Sequence, residues 1–215
     1  MIDVMQDPHA SEPVLRMGPV AGARLAVILV HGRGASAQDI LGLAREFRTT
    51  DVAYLAPQAA RNSWYPNSFL APIARNQPGI SSALNVLSGL VGLLETEGTP
   101  ADRVIVLGFS QGACLTLEFA ARHPRRYAGI VGLSGGLIGP PGTPRAYPGA
   151  LDGTPVFLGC SDVDAHIPVD RVRESAQVFR AMGAVVDERI YPRMGHTVNQ
   201  DEIDAVRALL VAPLE

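Results

Sequence analysis

The chain has little of what marks disulfide-rich or zinc-binding proteins. Only two cysteines, Cys114 and Cys160, occur in 215 residues. Two are too few for a disulfide framework, and neither stands in a close Cys/His cluster of the kind that binds zinc. We therefore expect both to be buried thiols without a reactive role, and we predict no metal site from them.

Strong charge and long apolar runs are also missing. The net charge is -3, and no block of Lys and Arg stands out, so nucleic acid and anionic membrane surfaces are not expected partners. No uninterrupted apolar run reaches membrane length, and the first residues are acidic where a secretory signal is basic. We expect a cytoplasmic protein with a small-molecule partner and no membrane span; the sequence leaves a homodimer open.

Short apolar runs alternate with amphipathic segments along most of the chain. The runs predict strands at 24–30, 52–57, 104–109, 127–134, 154–160 and 185–191. Most are apolar on both faces, as strands of a buried parallel sheet are. Ser36 is the predicted N-cap of the first helix, and Gly98 and Gly183 are predicted helix ends.

This alternation predicts an α/β fold with a doubly wound, mostly parallel sheet flanked by helices. We treat residues 1–23 as an N-terminal extension that contains a candidate edge strand. Residues 24–215 form a single domain in this interpretation, without a separate cap domain. Two long irregular segments, 58–79 and 135–153, are candidate functional loops.

The pattern Gly-x-Ser-x-Gly occurs twice, at 108–112 and at 132–136. A nucleophile elbow requires a strand, a sharp turn at the serine and then a helix. Ser110 lies between an apolar run and a helix-forming sequence, whereas Ser134 precedes a loop rich in proline and glycine. The context predicts that Ser110 is a nucleophile and that Ser134 is not.

A serine hydroxyl needs a histidine base and a carboxylate that orients it. After a nucleophile elbow these follow in the order acid, then histidine. His196 combines that order with a loop at the carboxyl end of a strand, and His166 is its main rival. His31 precedes the serine and is expected to support its own loop, while His9 belongs to a tail assumed to be mobile.

The loop after the predicted strand at 154–160 contains the candidates for the carboxylate that orients the histidine. Asp162 and Asp164 both lie there, and the spacing alone leaves either of them able to reach the imidazole. The alternative role for Asp162 is that of a turn residue that caps local backbone amides.

The chain resembles the phospholipase/carboxylesterase family of α/β-hydrolases, which includes bacterial carboxylesterases and acyl-protein thioesterases. The resemblance runs from about Arg24 to the C-terminus. Its landmarks are the segments His31-Gly32-Arg33-Gly34, Ser63-Trp64-Tyr65, Gly108-Phe109-Ser110-Gln111-Gly112, Asp164-Ala165-His166-Ile167-Pro168 and Gly195-His196. The resemblance implies the α/β-hydrolase fold and, through the element Asp-x-x-hydrophobic-Pro, assigns the acid to Asp164.

An oxyanion hole in such a site uses two backbone N–H groups. One belongs to the residue after the nucleophile, Gln111, and the resemblance assigns the other to Arg33. Gly32 lets the backbone approach the substrate closely. Trp64 is predicted to line the substrate pocket, with core packing as the alternative. The Arg33 side chain can meet an acidic substrate group, although a solvated arginine is the favoured interpretation.

Two other functions compete. Gly32-x-Gly34-x-x-Ala37 matches a dinucleotide-binding fingerprint, but the acidic residue Asp51 precedes its strand instead of following it. A metal site built from Asp162, Asp164 and His166 is a weak signal, because no further carboxylates lie nearby in the sequence.

We therefore predict a serine carboxylesterase that acts through an acyl-enzyme without metal or organic cofactor. An acyl thioesterase or a lysophospholipase is the alternative, and a non-catalytic ligand-binding protein with the same fold is a remote one.

Overall fold

A computed structural model of the protein describes residues 7–19 and 22–212. Within them lies one seven-stranded sheet, with the strands β1 (Val14–Met17), β2 (Leu25–Val30), β3 (Val52–Pro57), β4 (Val104–Phe109), β5 (Gly129–Leu133), β6 (Pro155–Ser161) and β7 (Val185–Tyr191). The order across the sheet is β1-β3-β2-β4-β5-β6-β7. Strand β1 pairs with β3 in the antiparallel direction, and all other pairs are parallel.

Five α-helices flank this sheet in the described part of the chain: α1 (Ala37–Glu46), α2 (Gly79–Thr96), α3 (Gln111–Arg122), α4 (Val169–Ala181) and α5 (Gln200–Val211). One buried cluster joins the sheet to α2, α3 and α4, and a second joins its other face to α1 and α5. The sheet is thus covered on both faces, which explains why β2 and β4 are apolar along their whole length. The predicted fold class, an α/β-hydrolase fold without a cap domain, is confirmed.

The N-terminal extension contributes the edge strand β1, whose residue Val14 lies opposite Pro57 of β3. Residues 1–6 and 20–21 of the extension, and residues 213–215 of the predicted domain, lie outside the described residues.

The helix ends follow the local signals in the sequence. The Ser36 side chain accepts the N–H of Asp39, and the Asp39 carboxylate accepts the N–H of Ser36 in return, which forms a capping box. Gly98 and Gly183, with φ of +91° and +81°, follow α2 and α4. Such left-handed backbone suits glycine, so these helix ends lie close to the predicted positions.

Helix α2 is the one helix in the described residues that is long and apolar enough to cross a membrane by length and composition. Half of that helix is buried within the fold. Ile80, Ala83 and Leu87 are almost completely buried and belong to the cluster that packs on the sheet. Packing of these side chains explains the apolar character of α2.

Candidate active site

Ser110 occupies a sharp turn between β4 and α3. Its φ and ψ are +55° and -119°, a conformation that non-glycine residues rarely adopt and that costs on the order of 1–3 kcal/mol. A Cβ atom at Gly108 would overlap with the carbonyl of Gly112, and one at Gly112 would overlap with the carbonyl of Val30. Both glycines are therefore required for helix α3 to start this close to the sheet.

Ser134, the serine of the repeated pattern, lies in a different setting. Its φ is also positive, at +52°, but no helix follows, and the side chain is fully buried. Ser134 does not line the cleft described below. Of the two serines, only Ser110 is accessible to a ligand in that cleft.

His196 connects Ser110 to Asp164. Its Nε2 lies 2.8 Å from Ser110 Oγ, and its Nδ1 lies 2.7 Å from Asp164 Oδ2. Because an ionised carboxylate only accepts hydrogen bonds, Nδ1 carries the proton and Nε2 presents its lone pair to the Ser110 hydroxyl. This arrangement suits proton transfer from serine to histidine.

The Asp164 side chain is completely buried beneath His196. Its Oδ1 accepts the backbone N–H groups of His166 and Ile167 at 2.8 and 3.0 Å. Burial raises the pKa of this carboxyl, but the hydrogen bonds from His196 and from the two amides outweigh burial and hold the pKa below its ordinary value. The site thus contains a fixed negative charge behind the imidazole.

Asp162 and His166 take other positions. The Asp162 carboxylate is exposed and accepts the N–H of Arg193 at 2.7 Å, so it caps the turn that precedes His196. The exposed ring of His166 packs edge-on against the His196 ring, with the centroids 4.7 Å apart. Neither side chain enters the hydrogen-bonded chain from Ser110 to Asp164. Within the described residues, no group of three or more His, Cys, Asp or Glu side chains is placed to hold a metal ion.

The two predicted oxyanion donors come from loops on either side of Ser110. Gln111 is the first residue of α3, so its N–H has no acceptor within the helix. The N–H of Arg33 follows Gly32, whose Cα faces Ser110 so closely that an added Cβ would lie 3.4 Å from Ser110 Cβ. Gln111 and Gly32 thus lie next to Ser110, and the oxyanion hole formed by the N–H groups of Gln111 and Arg33 stays a prediction.

His31 supports the Arg33 loop from beneath, as its place in the sequence predicted. The side chain is fully buried, its Nδ1 donates to the Gly32 carbonyl at 2.8 Å, and its Nε2 accepts the Ala59 N–H at 3.0 Å. Asp51 lies at the opposite end of the sheet, where its carboxylate pairs with Arg24 before β2 begins. It cannot serve the Gly32 loop as a nucleotide-binding acid.

A cleft of about 380 Å³ opens at Ser110 and His196. Its walls come from the Arg33 loop, from irregular segment 58–79 and from the loop after β6; segment 135–153 does not contribute. The lining residues are Gly32, Arg33, Ala35, Tyr65, Ser68, Phe69, Phe109, Ser110, Gln111, Cys114, His166, Ile167 and His196. Sequence reasoning missed Phe69 and Ile167, although both lie in segments that it had singled out.

The prediction that Trp64 lines the pocket is wrong. Its side chain is fully buried, and its indole N–H donates to the His31 carbonyl at 2.8 Å. Its backbone N–H donates to the Gln111 side chain, whose amide donates in turn to the carbonyl of Tyr65. Trp64 therefore holds the cleft wall in place from behind, and its neighbour Tyr65 lines the cleft.

His9, assigned to a mobile tail by sequence, is instead buried against this wall. Its Nε2 donates to the Trp64 carbonyl at 2.9 Å, and its Nδ1 accepts the Ala60 N–H at 3.0 Å. Two histidines thus enclose the Trp64 ring, with centroid distances of 5.3 Å for His9 and 5.0 Å for His31.

Both cysteines are buried free thiols, as predicted. Burial raises the pKa of Cys114 and of Cys160 to about 12, so both remain protonated near neutral pH.

The chain is similar to known proteins of one family over most of its length. The model of a family described as Phospholipase/Carboxylesterase matches residues 19–212. The crystal structure of a phospholipase/carboxylesterase from Dyadobacter fermentans superposes with a TM-score of 0.89 at 43% identity, covering 93% of this chain and 97% of that one.

Two further matches have lower identity. Esterase PE8 superposes with a TM-score of 0.75 at 26% identity, covering 93% of this chain and 97% of its own. Acyl-protein thioesterase 1 of Neurospora crassa is 26% identical over an alignment of 228 positions, gaps included, that covers 95% of this chain and 93% of that protein.

Proposed function

The chain belongs to the phospholipase/carboxylesterase family of α/β-hydrolases, and on that premise we propose that it is a serine carboxylesterase. It cleaves carboxylic esters through an acyl-enzyme intermediate. The observation that carries the proposal is the hydrogen-bonded chain Ser110–His196–Asp164 at the cleft, with distances of 2.8 and 2.7 Å. These distances match those between nucleophile, base and orienting acid in a serine hydrolase.

In the first half-reaction, Ser110 Oγ attacks the ester carbonyl carbon while its proton passes to His196 Nε2. The carbonyl π electrons move to oxygen, and the N–H groups of Gln111 and Arg33 stabilise that oxyanion, as does the N-terminus of α3. The Asp164 carboxylate stabilises the imidazolium and remains ionised. When the oxyanion collapses, the bond to the alcohol oxygen breaks and His196 returns the proton to the leaving alcohol.

In the second half-reaction, water takes the place of the alcohol. His196 removes a proton from water as it attacks the acyl-enzyme, and the tetrahedral oxyanion is held by the same amides. Its collapse breaks the bond to Ser110 Oγ, which recovers its proton from His196, and the carboxylic acid leaves. Every step uses water and groups of this chain alone.

A thioesterase activity is the second candidate, because the relative in Neurospora crassa is named an acyl-protein thioesterase. The same groups cleave a thioester, since only the leaving atom changes. The cleft volume of about 380 Å³ is near the lower end of the range for small-molecule sites, so we expect a small substrate for either activity.

The proposal is tested by comparing kcat/KM for a butyrate ester, the matched butyryl thioester and a lysophospholipid. We expect the short ester to be the best substrate, with a pre-steady-state burst when deacylation is slow. A thioester preference of more than about tenfold would reassign the activity to thioester hydrolysis. A folded protein that turns over none of the three and forms no acyl-enzyme would contradict the proposal.

A further inference from the structure

The guanidinium group of Arg33 is held in place at the wall of the cleft. Its Cζ lies 5.8 Å from the centre of the Tyr65 ring. Nη1 donates to Ser63 Oγ and to the Pro66 carbonyl at 3.1 and 2.9 Å, and Nη2 donates to the Asn67 carbonyl at 2.6 Å. All three acceptors are uncharged, so these bonds fix the group without neutralising it.

Part of this guanidinium has no partner. Arginine has five N–H donors, and the three bonds above leave Nε–H and one Nη2–H. No described residue accepts from them, and Arg33 forms no ion pair within the described part of the chain. The buried Arg171, by contrast, pairs with Glu174. Nε and Nη2 form one edge of the guanidinium plane, which can bind a carboxylate through two parallel hydrogen bonds.

The cleft around Arg33 contains no opposing charge. No Asp or Glu is among the lining residues, and Arg33 is the one lining residue with a permanent charge. Asp164 lies behind His196 and is already paired with it. A protein of net charge -3 thus presents a positive group in the same cleft as Ser110. Apolar walls of Phe69, Phe109 and Ile167 strengthen the interaction of that group with an anion.

We propose that the Nε/Nη2 edge of Arg33 is an anion subsite of the cleft, and that the preferred substrates are small esters that carry a carboxylate or a comparable anionic group. This inference rests on the proposed esterase function and specifies its substrate class. The anion takes the place of water on the free edge of the guanidinium, while the three existing bonds keep that edge oriented. Because the orientation exists before binding, little side-chain entropy is lost when the anion arrives.

The test uses pairs of esters that differ in charge but little in size. Monoethyl succinate and its neutral amide, ethyl succinamate, place the difference in the acyl part. The butyryl esters of glycolate and of glycolamide place it in the alcohol part. We expect the anionic member of at least one pair to have roughly tenfold higher kcat/KM, mainly through KM, because a charge-assisted bidentate contact is about twice as strong as a neutral one.

Salt and substitution connect the preference to Arg33. The quantity to follow is the ratio of kcat/KM for the anionic ester to kcat/KM for its neutral partner. Raising the salt concentration to about 0.5 M should reduce this ratio in the unmodified protein, because screening weakens a partly exposed ion pair. In Arg33→Gln the ratio should fall to about one. Arg33→Lys should keep only part of it, because the charge remains without the fork. Arg75→Gln is the matched control, since Arg75 is an exposed arginine of segment 58–79 that lies outside the cleft lining.

The outcomes separate the inference from the proposed function. Ratios of one or less in both pairs for the unmodified protein would overturn the anion subsite, as would an unchanged ratio in Arg33→Gln or Arg33→Lys. Normal turnover of the neutral esters alongside either result leaves the esterase proposal intact. Loss of turnover for all four esters would contradict the esterase proposal itself. The pair that shows the preference identifies the side of the ester bond that faces Arg33.

Discussion

The carboxylate of Glu202 lies directly over Gly159, where no Cβ atom fits because it would overlap with Glu202 Oε1. Glu202 Oε2 accepts the N–H of Asn199 at 2.9 Å, whereas Oε1 has no partner among the described residues. The side chain therefore joins β6, which leads to Asp164, to the start of α5, which follows His196. One buried carboxylate links the segments that carry the acid and the base.

This position predicts a pH-dependent stability. Burial raises the pKa of Glu202 to about 7; the N–H of Asn199 opposes this shift, and the charge of Asp201 adds to it. Cys160 and Tyr191 also face this carboxyl. The protonated Glu202 side chain stabilises the folded state fully below the ordinary pKa of 4.5, and this contribution is lost as pH rises toward 7.

Glu202→Gln should remove this dependence, because glutamine still accepts from Asn199 and does not ionise. Between about pH 5 and pH 8, the free energy of unfolding should fall in both proteins. We expect the fall to be smaller in the variant, by on the order of 1–3 kcal/mol. Chemical denaturation at a series of pH values measures it. Parallel curves for the two proteins would contradict the account.

The two aspartates of the loop after β6 should separate rate from stability. Asp164→Asn should lower kcat by about 10⁴, because the amide no longer fixes the tautomer of His196 or stabilises its charged form. Asp162→Asn is the matched control: its amide oxygen can still accept the N–H of Arg193, so we expect a cost of roughly 1 kcal/mol or less, visible in Tm and not in kcat. A collapse of kcat in Asp162→Asn alone would transfer the role of the acid to that residue.

The N-terminal extension should contribute to stability through His9. His9→Ala leaves the buried Trp64 carbonyl and the partly buried Ala60 N–H without partners, so we expect a loss of about 1–3 kcal/mol in the free energy of unfolding. Ser11→Ala, an exposed neighbour, is the control and should be close to neutral. Equal midpoints for the two variants would mean that His9 does not hold the Trp64 wall.

The same histidine gives a pH dependence of opposite sign to that of Glu202. Burial lowers the pKa of His9 from 6.5, against the hydrogen bond with the Trp64 carbonyl, and burial lowers the pKa of His31 likewise. Both rings must stay neutral, because each accepts a backbone N–H. The two neutral rings contribute fully to the stability of the fold above pH 6.5, and this contribution is lost as pH falls through their lowered pKa values. In His9→Ala, acid unfolding should therefore follow a shallower pH slope.

The elbow itself predicts a difference between two glycine substitutions. Gly112→Ala forces a Cβ atom into the carbonyl of Val30, so we expect loss of folded protein or of activity. Gly92→Ala adds a methyl group to helix α2 where nothing lies within 4 Å, and it should stabilise by roughly 0.5–1 kcal/mol. Yield of folded protein, Tm and ester turnover for both variants check this pair. A fully active Gly112→Ala would mean that α3 does not start as close to β2 as described.

Local sequence was sufficient for most of the fold. The predicted strands lie within two residues of the observed ones, because their apolar runs are bounded by clear turn and helix signals. The capping box at Ser36 involves residues three positions apart, so the sequence contains all of it. The serine pattern at 108–112 was likewise distinguished from its repeat by neighbouring residues alone.

The sequence failed where contacts join distant segments. Trp64 and Tyr65 are adjacent, and nothing local tells which one faces the cleft; the contacts of Trp64 with His9 and Gln111 decide it. Asp162 and Asp164 share a loop, and the N–H of Arg193, 31 residues away, separates their positions. Glu202 has the spacing of an ordinary capping residue, and only its position over Gly159 shows that it is buried.

Whether Ser110 is the nucleophile is tested by mapping the site labelled by a fluorophosphonate, a reagent that reacts with activated serines. Peptide mass spectrometry of the labelled protein should place one adduct on Ser110. Ser134→Ala should label at the normal rate, and His196→Ala should label far more slowly because the hydroxyl has lost its base. An adduct on Ser134, or no adduct on a folded protein that still hydrolyses esters, would contradict the account.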